Sequence, residues 1–165
     1  MNLYEVIHQR RSVGAYKSTP VEPDKLERIW EATRLAPSAC NLQPWRFLVL
    51  RSPDARGRVR PMFQDWVGLA PLLIVALGNR NTAWRRDGES IHAVDVAIAL
   101  EHFILAATAD GLGTGWICAF ARNAFSSALK LDPDWDPVAV TPLGYADDPN
   151  SRRPRKAVSE IVKEL

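Results

Sequence analysis

Asp110-Gly111-Leu112-Gly113-Thr114-Gly115-Trp116-Ile117 decides the fold class of this chain. Alternating glycines suggest a dinucleotide-binding turn. That turn needs a strand before the glycines and a helix after them, so that a pyrophosphate caps the helix N-terminus. Here the order is reversed. Residues 90–110 read as a long helix, in which Val94, Val96, Ile98, Leu100, Phe103, Ile104 and Leu105 leave almost no polar face. Residues 115–120, Gly-Trp-Ile-Cys-Ala-Phe, read as a strand. The dinucleotide reading is therefore rejected. Asp110-Gly111 is a helix stop, and the glycines serve a tight helix-to-strand turn with exposed backbone.

Working outward, Pro23 followed by Asp24 marks a helix start, and Leu26, Ile29, Trp30, Thr33 and Ala36 fall on one face until Pro37 stops it. Residues 3–10 also read as helical. Residues 45–50 and 72–77 read as strands, with a short basic helix or loop between them. Residues 80–90 read as a polar loop and 122–130 as a short helix. Residues 138–143 read as a strand, with Pro142 suggesting an edge or a strand end. The tail from 150 to 165 is basic, then amphipathic. Helices and strands mix without strict βαβ alternation, which is the α+β class. No repeat or linker divides residues 1–165, which read as a single domain. The long helix would extend about 30 Å, the full width of such a domain. An apolar rod of that length calls for a second copy, so a dimer is expected.

Composition narrows the function. With 47% hydrophobic and 24% charged residues, the chain is globular rather than disordered. A formal charge of +2 gives little support to nucleic-acid or membrane-surface binding. No signal peptide is read at the N-terminus. Two cysteines without a CxxC, and three histidines without an HExxH, exclude a disulfide scaffold and leave a metal site without support. A reducing cytoplasm is the expected location.

The sixteen arginines against five lysines are fork-shaped donors suited to phosphate, with the usage of the source genome as the competing reading. Three clusters recur: Arg10-Arg11-Ser12, Arg56-x-Arg58-x-Arg60 and Arg152-Arg153-Pro154-Arg155-Lys156. The first and third, at opposite ends of the chain, could converge on one dianion; the second reads as solvated charge. Pro37-Ser38-Ala39-Cys40-Asn41-Leu42-Gln43-Pro44-Trp45 is a loop pinned by two prolines. Its Ser, Asn and Gln are neutral hydrogen-bonding groups suited to the edge of a polar heterocycle; turn chemistry is the competing reading. His92 and His102, ten residues apart, stand about 15 Å apart along a helix, too far to share a metal, and read as satisfied core histidines. Asp95 is expected to find a partner near the helix start, and Cys118 to act as a small hydrophobe inside its strand. No Ser-His-Asp arrangement or glycosidase carboxylate pair is visible.

Taken in order, Arg10-Arg11-Ser12, Ala36-Pro37-Ser38-x-x-Asn41-x-Gln43-Pro44-Trp45, Asp95 and His102 in the apolar helix, the glycine turn, Thr141-Pro142-Leu143-Gly144-Tyr145 and the basic tail resemble the nitroreductase family of FMN-dependent oxidoreductases in its short-chain form. The likeness spans roughly residues 3 to 160. It implies a central, mainly antiparallel sheet flanked by helices, and a homodimer with two FMN sites at the subunit interface. It implies that Arg10, Arg11 and Ser12 hold the FMN phosphate together with Arg153 and Arg155. Pro37, Ser38, Ala39 and Asn41 would come from the partner subunit to the ring system, with Gln43 supporting that loop. Trp116, Ile117, Cys118 and Ala119 would line one ring face, the Ala119 amide reaching flavin N5, and Gln64 would reach the pyrimidine edge. The chain departs from the family pattern at Gly14, where many members carry Lys or Arg, and at Ala119, often Gly.

The implied activity is ping-pong hydride transfer from NADH or NADPH through flavin N5 to a nitroaromatic, quinone or activated alkene, with no side-chain acid or base required. Trp66, Trp84 and Phe120 are candidates to stack on an aromatic substrate; a plain core role is the competing reading for each. Rival readings are a flavoenzyme of the same fold running dehydrogenation or dehalogenation, a non-catalytic flavin-binding protein, and a nucleic-acid module, which the near-neutral charge disfavours.

Overall fold

The computed structural model describes residues 1–148 and 153–165. A four-stranded sheet in the order β1-β2-β6-β5 forms the centre. Its strands are β1 (Trp45–Leu50), β2 (Leu72–Asn79), β5 (Gly113–Thr114) and β6 (Trp135–Gly144), and all neighbours pair antiparallel. Every residue of β2 is buried, because both faces of the sheet are covered. Alternation along β2 divides the core in two. Leu72, Ile74 and Ala76 face α2 (Pro23–Arg34) and α4 (His92–Ala109). Leu73, Val75 and Leu77 face α3 (Pro53–Val59) and α5 (Arg122–Leu129), with Val59 and Phe125 fully buried.

Helix α2 starts on Pro23 and buries Leu26, Ile29 and Thr33, the expected face. Trp30 stacks against Phe103 of α4 with ring centroids 4.9 Å apart. By length and composition alone α4 could cross a bilayer; here Val96, Ala99, Leu100, Phe103, Ile104 and Ala107 pack into the core. Its apolar circumference is not fully covered. Val94 and Ile98 remain 54% and 36% exposed, and α1 (Leu3–Gln9), which packs beside α4, exposes Leu3, Tyr4 and Ile7. The polar stretch from 80 to 90, expected as a loop, contains a small hairpin, β3 (Arg85–Arg86) with β4 (Glu89–Ser90), turning through Asp87 and Gly88 at positive φ.

Of the two readings of Pro142, the edge fails, since β6 lies inside the sheet, and the strand end fits, since β6 stops at Gly144. One strand expectation is corrected: residues 115–120 do not form a strand, and β5 is only Gly113–Thr114. Pro142 has no N–H to offer, so the ladder between β6 and the next segment breaks there. Gly115 N instead donates to Thr141 Oγ1 at 3.2 Å, and pairing resumes only where Ile117 exchanges two backbone bonds with Val140. Cys118 is consequently exposed and not a core hydrophobe; its sulfur accepts from Trp116 Nε1 at 3.1 Å.

Candidate functional site

The segment following α1 is laid along the sheet edge. Ser12 bridges Thr114, Val13 N donates to Thr114 O at 2.8 Å, Lys17 N donates to Tyr145 O and Asp147 N donates to Ala15 O. Val13 and Tyr16 are buried by this docking. Gly113 permits it, since a Cβ there would stand 2.7 Å from Val13 Cγ2. The path after β6 therefore runs beside residues 11–17, and the two ends of the chain border one cavity of about 750 Å³. Arg10, Arg11 and Ser12 line it from one end, and Arg153 and Arg155 from the other. Ile7, Val13 and Trp66 supply apolar wall, with His8, Gly14 and Asp148 completing it. Arg152, grouped with the tail cluster, lies outside the described residues.

Within this cavity the arginines differ. Arg11 Nη2 donates to Asp148 Oδ1 at 2.6 Å and to Asp148 O at 3.3 Å, and Gly14 N donates to Asp148 Oδ2 at 2.8 Å. The hydrogen bond to Arg11 holds the Asp148 carboxyl below the usual carboxylate range, and the same bond raises the Arg11 guanidinium. Arg155 Nη1 reaches only the carbonyls of Arg153 and Pro154, while Arg10 and Arg153 make no side-chain hydrogen bond or ion pair among the described residues. Asp148 is the site residue that sequence reading missed; a carboxylate in a stretch of sequence rich in Asp, Pro and Asn carries no local signal that it will meet Arg11.

The other expected residues lie off this cavity. Gln64 is exposed and its Oε1 accepts from Trp66 Nε1 at 2.8 Å, which orients the indole that lines the wall. Trp66 in turn lies beside Gly115, where a Cβ would meet the indole at 3.7 Å, so the exposed run Trp116, Cys118 and Ala119, with half-buried Ile117, starts next to the site. Phe120 is half-buried and packs against the core, its ring tilted over Phe125 with centroids 4.9 Å apart. Trp84 is 40% exposed on the hairpin and does not line the cavity.

Pro37, Ser38, Ala39, Asn41 and Gln43 do not line the cavity of their own chain. Their loop is held in a strained shape: Cys40, Asn41 and Gln43 have φ of 50°, 54° and 49°, values that L-residues adopt only when surroundings enforce them. Gln43 N donates to Ser38 Oγ at 2.9 Å, and Gln43 Nε2 donates to Asn41. Asp95, 2% exposed, accepts from Ala39 N at 3.0 Å, so its partner is this loop. His92 and His102 are satisfied as expected, by Asp136 and Ser90 and by the Ala32 carbonyl.

Three guanidinium groups not paired with a carboxylate among the described residues, those of Arg10, Arg153 and Arg155, with a seryl hydroxyl and an aromatic wall, match a phosphorylated, planar ligand. Among the described residues there is no cluster of His, Cys, Asp and Glu able to hold a metal.

Residues 7–67 and 60–145 match the model of the nitroreductase family. A nitroreductase family protein from Clostridium difficile 630 superposes with a TM-score of 0.93 at 28% identity, covering 99% of this chain and 98% of the other. A crystallised complex with FMN from Exiguobacterium sibiricum 255-15 has the same fold, with a TM-score of 0.91 at 20% identity over 100% of this chain and 98% of the other. A Thermus thermophilus protein named NADH dehydrogenase is 38% identical over 86 residues, 51% of this chain and 42% of that protein.

Proposed function

The chain belongs to the nitroreductase family, and from that footing we propose that it is an FMN-dependent NAD(P)H oxidoreductase, working as a homodimer whose cofactor sites lie between subunits. The carrying observation is the meeting of Arg10, Ser12, Arg153 and Arg155 on one cavity with a Trp66 wall. Bound FMN would supply two-electron hydride chemistry, taking hydride from NADH or NADPH and passing it to a nitroaromatic, quinone or activated alkene in a ping-pong cycle.

The residues of the chain bind, orient and exclude water. Arg10, Arg153 and Arg155 present charge-assisted donors to the phosphate, with the Ser12 hydroxyl beside them. Trp66 and Val13 shield one side. Trp116, Ile117, Cys118 and Ala119 would border the flavin ring, and the Ala119 amide would be a donor available to it. Gln64 is free to present its amide N–H to the pyrimidine edge while its oxygen holds Trp66. The loop bearing Pro37, Ser38, Ala39 and Asn41 serves the partner's site, its shape fixed by Gln43, Ser38 and Asp95. The uncovered apolar face of α1 and α4 is the surface on which the second copy packs. No side-chain acid or base is assigned, and the location is cytoplasmic.

The test is the purified protein itself. The expected result is a yellow protein that releases FMN on denaturation, is bleached by NADH or NADPH without oxygen, and recovers its colour with a quinone. Bound flavin that neither nicotinamide reduces would redirect the assignment to dehydrogenation or dehalogenation. Bound flavin that never turns over would leave a carrier, and a colourless protein that takes up no flavin would overturn the reading.

A further inference from the structure

We propose that Arg11 and Asp148 form a self-neutralised pair inside the cavity, so that an anionic ligand is read by Arg10, Arg153 and Arg155, while Asp148 limits how tightly it is held. This deepens the phosphate-site reading above and rests on it. Both side chains are largely enclosed, at 13% and 20% exposure, with 2.6 Å between Nη2 and Oδ1. Both protons of Arg11 Nη2 go to Asp148, one to the carboxylate and one to its carbonyl, and Nη1 leans on the Ser12 carbonyl at 3.4 Å. The second carboxylate oxygen takes the Gly14 N–H, a backbone donor that would otherwise face the cavity. A close pair of opposite charges presents only a dipole, whose potential fades faster with distance than that of a lone charge. Arg11 therefore adds little attraction for a dianion.

Arg10 stands in contrast. It is half-buried, lines the same cavity and has no bonded partner among the described residues, although Glu101 of α4 is close enough to feel its charge. Arg153 is likewise unpaired there. Removing the carboxylate charge without removing its shape should expose the Arg11 charge to the ligand. Removing the Arg11 charge alone should leave an uncompensated carboxylate facing a phosphate.

A double-mutant cycle tests this with Asp148→Asn and Arg11→Gln, substitutions that keep hydrogen-bonding groups in place and change charge. FMN binding is read by quenching of flavin fluorescence and inorganic phosphate binding by calorimetry, with thermal melts confirming that each variant is folded. Asp148→Asn is expected to tighten both ligands about tenfold, and Arg11→Gln to weaken both by a similar factor. The double variant should return to within about threefold of the wild type. A double variant at least about tenfold weaker than wild type overturns the proposal, because Arg11 would then be contacting the phosphate itself. An Asp148→Asn variant with unchanged or weaker binding also overturns it. If Arg11→Gln alone does not fold, the double variant against wild type carries the test. A cycle that behaves as expected with phosphate in a protein that ignores FMN sinks the flavin assignment and leaves the pair standing. A wild type that binds neither sinks both.

Discussion

Asp136 shows how much one buried carboxylate can organise. It is 4% exposed and accepts from Arg80 Nη2 at 2.6 Å and Arg122 Nη1 at 3.1 Å, with His92 Nε2 at 3.0 Å. Burial pushes its carboxyl up, but the bonds from His92 and Arg80 and the charges around it outweigh burial, and the net direction is down. A carboxyl depressed by folding stabilises the native state above its ordinary range and loses that contribution as the pH falls through the depressed value. Acid unfolding of the wild type is therefore expected to steepen below about pH 4, and Asp136→Asn should flatten that limb in a circular-dichroism titration. An unchanged acid limb would show that the cluster contributes nothing. At neutral pH, Asp136→Ala should cost about 2–3 kcal/mol. That lies below the usual cost of severing a buried ion pair, because the Arg80 and Arg122 side chains, 50% and 63% exposed, can turn to water. At this scale the sequence was only partly legible. His92 and His102 could be read as satisfied because core helices seldom carry free imidazoles. The partners of His92, Arg11 and Asp95 could not, since Asp136, Asp148 and the 37–43 loop arrive from distant parts of the chain and leave no spacing to read.

Among the elements, α4 was the most legible and also the one whose surroundings mattered most. Its unbroken apolar run fixed both its type and its central place, and its stop at Asp110-Gly111 followed from Gly111 with φ +77°. Phe103 sits where α4 crosses α2, fully buried against Trp30. Phe103→Ala is expected to destabilise the fold by about 3–5 kcal/mol, read as a loss of chemical-denaturation midpoint at unchanged slope. A change below about 1 kcal/mol would mean that the α2–α4 contact is not part of the core. The segment 115–120 was misread for a definable reason. Its residues have the apolar, aromatic content of a strand, but pairing is a property of two segments. The missing N–H of Pro142, twenty-odd residues on, breaks the ladder. The same proline suggested an edge or a strand end. It stands near the end of an interior strand and marks a gap in its ladder, beyond which Trp116, Cys118 and Ala119 are exposed.

At the scale of the whole molecule, what places the site is the return of the chain to its start. Residues 12–17 lie against the outgoing end of β6, and this alone brings Arg10 to the same cavity as Arg153 and Arg155. Two arginine clusters separated by most of the sequence suggested that convergence, while in the cluster at 56–60 Arg58 and Arg60 are exposed, as expected of solvated charge, and Arg56 alone turns inward. Arg56 Nη1 donates to the Pro71 carbonyl, and Arg58 pairs with Asp54 one turn away. The pair Arg10→Ala with Arg155→Ala should accordingly weaken FMN binding about 100-fold or more, at roughly 1.5–3 kcal/mol for each charge-assisted bond lost. Arg56→Ala with Arg58→Ala should leave it within about twofold; equal losses in the two pairs would remove the phosphate assignment. The second copy is tested separately. Val94 and Ile98 on α4 are exposed, as are Leu3, Tyr4 and Ile7 on α1, which packs against α4, and carboxylates placed at 94 and 98 would be buried unpaired in any dimer that uses this face. Val94→Glu with Ile98→Glu is expected to give a folded monomer by light scattering. If the 37–43 loop completes its partner's cavity as proposed, flavin retention should fall with dimerisation. A variant that remains dimeric and yellow would move the interface elsewhere on the molecule, and a monomer that keeps its flavin would mean that one chain completes the site alone.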